Sequence, residues 1–154
     1  MRLYLVRHAS AEEPGTRADA DRRLTDRGRR ESRHVGEGLK TLGARPVRIL
    51  SSPFIRARET ADAIASELSM AVEVRDALAS GASPDDLLRE VRDPGGEEVL
   101  LVAHQPELGA LAALLLTGGP VATLSFRPGS VCCLDLDGAQ GRLAWFRNPD
   151  DVVR

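Results

Sequence analysis

The chain has 154 residues, of which 42% are hydrophobic and 29% charged, and its formal net charge is −2. These values exclude disordered and fibrous classes and offer no overall basic field for nucleic acid or an anionic membrane. The length suits a single domain over residues 1–154. The cysteines, Cys132 and Cys133, are adjacent, so neither a disulfide framework nor a zinc site is written here. No apolar run approaches the ~20 residues of a membrane span, and Met1 to Val6 is too short for a signal segment. The expectation is a soluble cytoplasmic domain. Lys40 is the single lysine. Arginine is therefore common, and one carries meaning only by its position.

In chain order, Arg2 to Arg7 reads as a short buried strand that stops at His8. Ala9 to Arg23 follows, a connection long enough to carry function. Thr25 can N-cap a helix running to about Leu42, with Val35 and Leu39 on its apolar face and Gly43 after its end. Val47 to Leu50 is a second strand. Ser52 and Pro53 then read as N-cap and first residue of a helix on which Phe54, Ala57, Ala61, Ile64 and Leu68 keep helical spacing. Val72 to Val74 is a short strand. Ser83-Pro84-Asp85-Asp86 opens another helix, with a capping hydroxyl, a proline and acids near its positive end. Val99 to Ala103 is a buried strand, and an apolar helix follows Pro106 through Leu116. Thr123 to Phe126, Val131 to Leu136 and Arg142 to Phe146 read as strands, the last two joined at Asp137-Gly138. Alternating strands and helices followed by a β-rich end indicate an α/β sandwich, with a mostly parallel sheet and antiparallel C-terminal additions.

Two histidines, His8 and His104, directly follow buried strands, and ligands of open α/β sheets bind outside such carboxyl ends. Either alone reads as a hydrogen-bonded histidine at a strand end; together they point to a site. His34 falls inside a predicted helix and reads as a flank residue. Arg56 lies near the start of a helix, where a cation is unfavourable unless an anion compensates it. Arg58 is about 200° away around the helix and reads as a solvent-facing charge. Arg7 and His8 can face one ligand only if the chain bends at the strand end, because strand neighbours point to opposite faces. Trp145 and Phe146 alternate across a strand and read as packing residues, and the two cysteines likewise point to opposite faces. Glu12, Glu13, Asp150 and Asp151 read as solvated acids.

Three blocks, Leu5-Val6-Arg7-His8-Ala9, Ser51-Ser52-Pro53-Phe54-Ile55-Arg56-Ala57-Arg58-Glu59-Thr60 and Leu101-Val102-Ala103-His104-Gln105-Pro106, resemble the histidine phosphatase superfamily. The chain's short length and detailed segments resemble its SixA-type phosphohistidine phosphatase branch. The resemblance implies a three-layer phosphoglycerate-mutase-like fold and a phosphoryl pocket of two arginines and two histidines. It makes His8 the nucleophile that becomes transiently phosphorylated, and Arg7, Arg56 and His104 the groups that hold the phosphoryl oxygens. Asp21-Arg22-Arg23-Leu24-Thr25 resembles a further segment of that branch and places Arg22 at the substrate. The implied enzyme is metal-independent and uses no cofactor.

The larger members of the family carry a glutamate that protonates an alcohol leaving group, and Ser80 stands at the matching position here. Asp76 and Asp85 are the nearby acids that remain. Without that acid, alkyl phosphates lose a general acid worth ~10²–10⁴-fold, whereas a protonated phosphoimidazole leaves as a neutral ring. The expected substrate is therefore phosphohistidine in a protein such as a phosphotransfer domain or phosphocarrier. The alternatives are a small-molecule phosphomonoesterase with the same pocket, or a non-catalytic phosphate-binding module. Nucleic acid and membrane are not expected partners.

Overall fold

The computed structural model describes residues 1–93, 96–119 and 124–152. Its six strands form one sheet in the order β3-β2-β4-β1-β5-β6. Here β1 is Arg2–Arg7, β2 Arg48–Ser51, β3 Val72–Val74, β4 Glu98–Ala103, β5 Val131–Asp137 and β6 Gln140–Arg147. The first four are parallel, with β1 beside β4 in the register Val6 to Val102. β5 runs antiparallel to β1, and β6 to β5. The helices are α1 (Asp26–Thr41), α2 (Ile55–Leu68), α3 (Pro84–Arg92), α4 (Glu107–Thr117) and a short α5 (Pro149–Val152).

Strand alternation divides the core in two. Leu3, Leu5, Leu50 and Leu101 pack under α3 and α4 with Leu87, Val91, Leu108 and Leu111. Tyr4, Val6, Ile49, Leu100 and Val102 pack under α1 and α2 with Val35, Leu39, Ala61 and Ile64. The molecule thus has three layers, helices on both faces of a mostly parallel sheet, as a sheet apolar on both faces requires. Each leucine or valine so buried contributes about 1.5–3 kcal/mol. The sheet's end is also divided: Cys132 joins the first core and Cys133 the second. Trp145 packs against Tyr4, and Phe146 against Phe126.

The helix starts follow their capping chemistry in two cases. Thr25 Oγ1 accepts the Gly28 N–H at 3.1 Å, and Ser83 Oγ accepts that of Asp86 at 3.1 Å. Two sequence expectations are corrected. The N-cap of α2 is Phe54, not Ser52, so Arg56 is the second helical residue rather than the fourth. Leu124 to Phe126 forms no strand; Thr123 lies outside the described residues. The carbonyls of Leu124 and Phe126 accept side-chain donors instead, from Gln105 at 2.9 Å and Arg7 at 2.8 Å. No helix among the described residues is long and apolar enough to cross a membrane.

Candidate active site

The carboxyl ends of the adjacent strands β1, β4 and β2 deliver His8, His104 and Ser52 to one edge of the sheet. The His8 N–H continues the ladder to the Ala103 carbonyl at 3.1 Å, and the chain then turns. That turn brings Arg7 and His8, neighbours on a strand, to one cavity of about 470 Å³. Arg22, Arg56, Ser80, His104 and Gln105 share the lining. The two imidazole centroids are 5.3 Å apart. All five residues expected at a phosphoryl pocket are therefore brought together.

The two ring nitrogens of His8 are distinguished by their neighbours. Nδ1 lies 2.9 Å from the Ala9 carbonyl, which only accepts, so Nδ1 carries the proton. Nε2 keeps its lone pair and accepts the Nε–H of Arg56 at 3.3 Å. Burial lowers the His8 pKa to about 4, opposed by the Ala9 contact and assisted by the charges of Arg56, Arg7 and Arg22. At neutral pH the ring is thus uncharged and its Nε2 available. His104 is lowered to about 3, by burial first and then by His8 and Arg56. Its Nε2 meets Ser52 Oγ at 2.8 Å, while its Nδ1 is buried with no partner among the described residues. Ser52 Oγ also accepts the Phe54 N–H at 3.2 Å. The hydroxyl that the sequence assigns to capping therefore orients a site histidine.

Arg56 is almost wholly buried, with 4% of its side chain exposed, and carries a guanidinium at a helix start, where charge favours anions. Asp19 compensates it. The Asp19 carbonyl accepts Arg56 Nη1–H at 2.6 Å, and its Oδ2 lies 3.3 Å from Nη2. Oδ1 pairs with Arg22 at 2.9–3.0 Å, so one carboxylate ties two pocket arginines together. Burial still lowers the Arg56 pKa, and Arg22 lowers it further against the opposing pull of Asp19. Burial lowers Arg7 as well, followed by the charge of Arg56; its Nε is buried and unpartnered among the described residues. Arg58 is exposed and His34 half-buried, and neither lines the cavity.

The connection from Ala9 to Thr25, which carries Asp19 and Arg22, is fixed by its own contacts. Ala11 and Leu24 form an isolated bridge, and Asp19–Asp21 make one 3-10 turn. Glu12 accepts the Arg23 N–H at 2.8 Å and pairs with Arg17, while its carbonyl accepts Arg22 Nη1–H at 2.7 Å. Thr60 Oγ1 accepts the Ala9 N–H at 3.1 Å and donates to the Arg56 carbonyl at 2.8 Å, joining both site segments. Gly28 in α1 allows the close approach. A Cβ there would lie 2.0 Å from the Ser10 carbonyl oxygen. Glu12 is thus a structural clamp rather than a solvated acid, and Glu13 lines the cavity. Asp19, Thr60 and Glu13 were not singled out from sequence for the site. Asp19 stands three residues before Arg22, the one spacing that hints at its pairing.

The model of the histidine phosphatase superfamily (branch 1) matches residues 3–80. The chain belongs to that superfamily. The phosphohistidine phosphatase SixA homolog of Haemophilus influenzae is 30% identical over 155 residues, covering 93% of each chain. Phosphohistidine phosphatase SixA of Escherichia coli is 29% identical, covering 97% of this chain and 94% of its own. The structure of protein histidine phosphatase SixA complexed with tungstate superposes with a TM-score of 0.87 at 27% identity over 99% of both chains. Within the superfamily the chain falls in the SixA-type branch, and its fold is the phosphoglycerate-mutase-like one.

Ser80 lies on the cavity wall. The adjacent Gly81 N–H donates to Glu107 Oε1 at 3.2 Å, which fastens this rim to the start of α4. Asp76 and Asp85 are exposed and do not line the cavity. Among the described residues, no group of three or more His, Cys, Asp or Glu side chains is arranged to hold a metal ion.

Proposed function

We propose that the chain is a phosphohistidine phosphatase that works through a covalent intermediate on His8. The observation that carries this reading is the His8 ring itself, neutral and with its Nε2 lone pair directed at the pocket arginine. An imidazole that only bound phosphate would do better protonated. In the proposed reaction Nε2 attacks phosphorus, and the P–N bond of the substrate breaks with its electron pair returning to the departing ring. Arg7, Arg56 and His104 hold the phosphoryl oxygens, and Arg22 extends the grip toward the substrate. Charge spread over three equatorial oxygens is best met by fixed guanidinium forks, whose planar donors suit phosphate bidentately. Water then attacks the phosphorylated His8, releasing inorganic phosphate and a proton and restoring the Nδ1–H ring.

The substrate class follows from the lining. The site offers Ser80 where an alcohol leaving group needs an acid, a deficiency that matters least for phosphoimidazoles. The names of the SixA relatives support the same class. The test is to incubate the protein with a ³²P-phosphohistidine protein, quench in alkali and map the label. Label on His8, absent from His8→Ala, supports the reading. Faster turnover of sugar or nucleotide phosphates than of phosphohistidine would favour the phosphomonoesterase alternative, and binding without turnover a non-catalytic module.

A further inference from the structure

Thirteen residues line the cavity, and among them Glu13 is the one carboxylate. Its backbone is held: the Glu13 carbonyl accepts Thr16 Oγ1–H at 2.9 Å, and the preceding Glu12 is bound through its N–H, carbonyl and carboxylate. The Glu13 side chain, by contrast, is exposed, and its carboxylate has no hydrogen bond or ion pair among the described residues. Glu12, next to it, is fully engaged. The segment thus spends one acid on fixing itself and presents the other to a pocket that otherwise offers arginines, histidines and neutral groups. A phosphoryl group is repelled by such a carboxylate. The group that gains from it lies on the other side of the scissile bond.

We infer that Glu13 is the leaving-group residue, which accepts a hydrogen bond from the imidazole ring of the phosphohistidine substrate. This rests on the proposed phosphatase reading. In a phosphohistidine the ring nitrogen opposite phosphorus can carry a proton, and the ring is then cationic. Glu13 pairs with that N–H and favours the protonated form. As His8 Nε2 bonds to phosphorus, the P–N pair returns to the ring nitrogen that held phosphorus. The opposite nitrogen keeps its proton, and the ring departs neutral. No proton is transferred at that bond, so an ionised carboxylate performs the task that a protonated acid performs for alcohols. Ser80, also on the lining, adds no competing acid. Together the two residues select a nitrogen leaving group and give alkyl phosphates nothing.

The test compares two substrates on the same preparations of wild type and Glu13→Gln. One is a phosphohistidine peptide; the other is para-nitrophenyl phosphate, whose leaving group needs neither a proton nor a cationic partner. The ratio of the two kcat/KM values is independent of the folded fraction, so instability of the variant does not disturb it. Expected is a fall of about tenfold in that ratio, the size of a lost hydrogen bond between charged groups at an exposed site. The alkaline limb of the phosphohistidine rate should also move to lower pH in the variant, because the substrate ring loses its proton more readily without the carboxylate. An unchanged ratio, whether both rates fall or neither does, overturns the inference while leaving the phosphatase reading intact. Failure of wild type to hydrolyse either substrate removes the reading and the inference together.

Discussion

At the residue scale, the central contact is the Arg56 Nε–H donated to His8 Nε2. These two residues do unequal work, and substitution should separate them. His8→Ala removes the proposed nucleophile, so turnover should fall to background on every substrate; wild-type turnover in that variant would end the nucleophile assignment. Arg56→Ala removes the proposed donors to the phosphoryl oxygens and should cost about 2.7–4 kcal/mol, or roughly 10²–10³ in kcat, leaving measurable activity. The depressed His8 pKa predicts the acid limb of the profile. Because kcat/KM reports the free enzyme, its acid limb should fall as the ring protonates around pH 4. A midpoint near 6.5, the ordinary imidazole value, would mean that the ring is not desolvated as the structure indicates. Much of this was legible in sequence. Histidines at strand ends and an arginine at a helix start are local signals. The Asp19 bridge and the cavity position of Glu13 were not, because they depend on the path of a connection without hydrophobic periodicity.

At the scale of elements, the site depends on how tightly α1 lies on the connection that precedes it. Gly28 permits that approach, and the Ser10 carbonyl also accepts the Thr25 N–H at 3.0 Å. Gly28→Ala must move backbone against backbone. It should destabilise by about 1–3 kcal/mol and displace the segment carrying Glu13, Asp19 and Arg22, so that kcat/KM falls along with Tm. Equal Tm and activity would show that the approach is not needed. The same scale explains which elements the sequence revealed. The parallel strands and α1 to α4 are written in apolar spacing and caps, and they appear where expected. The start of α2 shifts because Ser52, a good capping residue by type, is drawn to His104. Leu124 to Phe126 is apolar enough for a strand, yet its carbonyls serve the side chains of Gln105 and Arg7. In both cases a tertiary partner competes for a group that local chemistry had already assigned.

At the scale of the whole molecule, the site has a cost in stability that depends on pH. His8 and His104 titrate near 4 and 3 in the folded chain and near 6.5 when unfolded. Between those values the unfolded chain binds more protons, so stability is complete above about pH 6.5 and declines as the pH falls toward 4. Each ring contributes at most about 1.4 kcal/mol per pH unit in that window. Thermal melts from pH 8 to 4.5 should show a falling Tm, with a shallower slope in His8→Ala. An identical slope in that variant would assign the effect to carboxylates instead. The sheet order has a different consequence, one of timing. β1 leaves the ribosome well before its sheet neighbours β4 and β5, which begin at Glu98 and Val131. Four consecutive apolar side chains, Leu3 to Val6, must wait for most of the chain to be synthesised before either edge is paired. A nascent chain stalled before β4 holds His8 at the end of an unpaired strand, exposed to aggregation and to whatever holdase chaperones attend it. Only once the second half emerges are the two halves of the catalytic pocket joined.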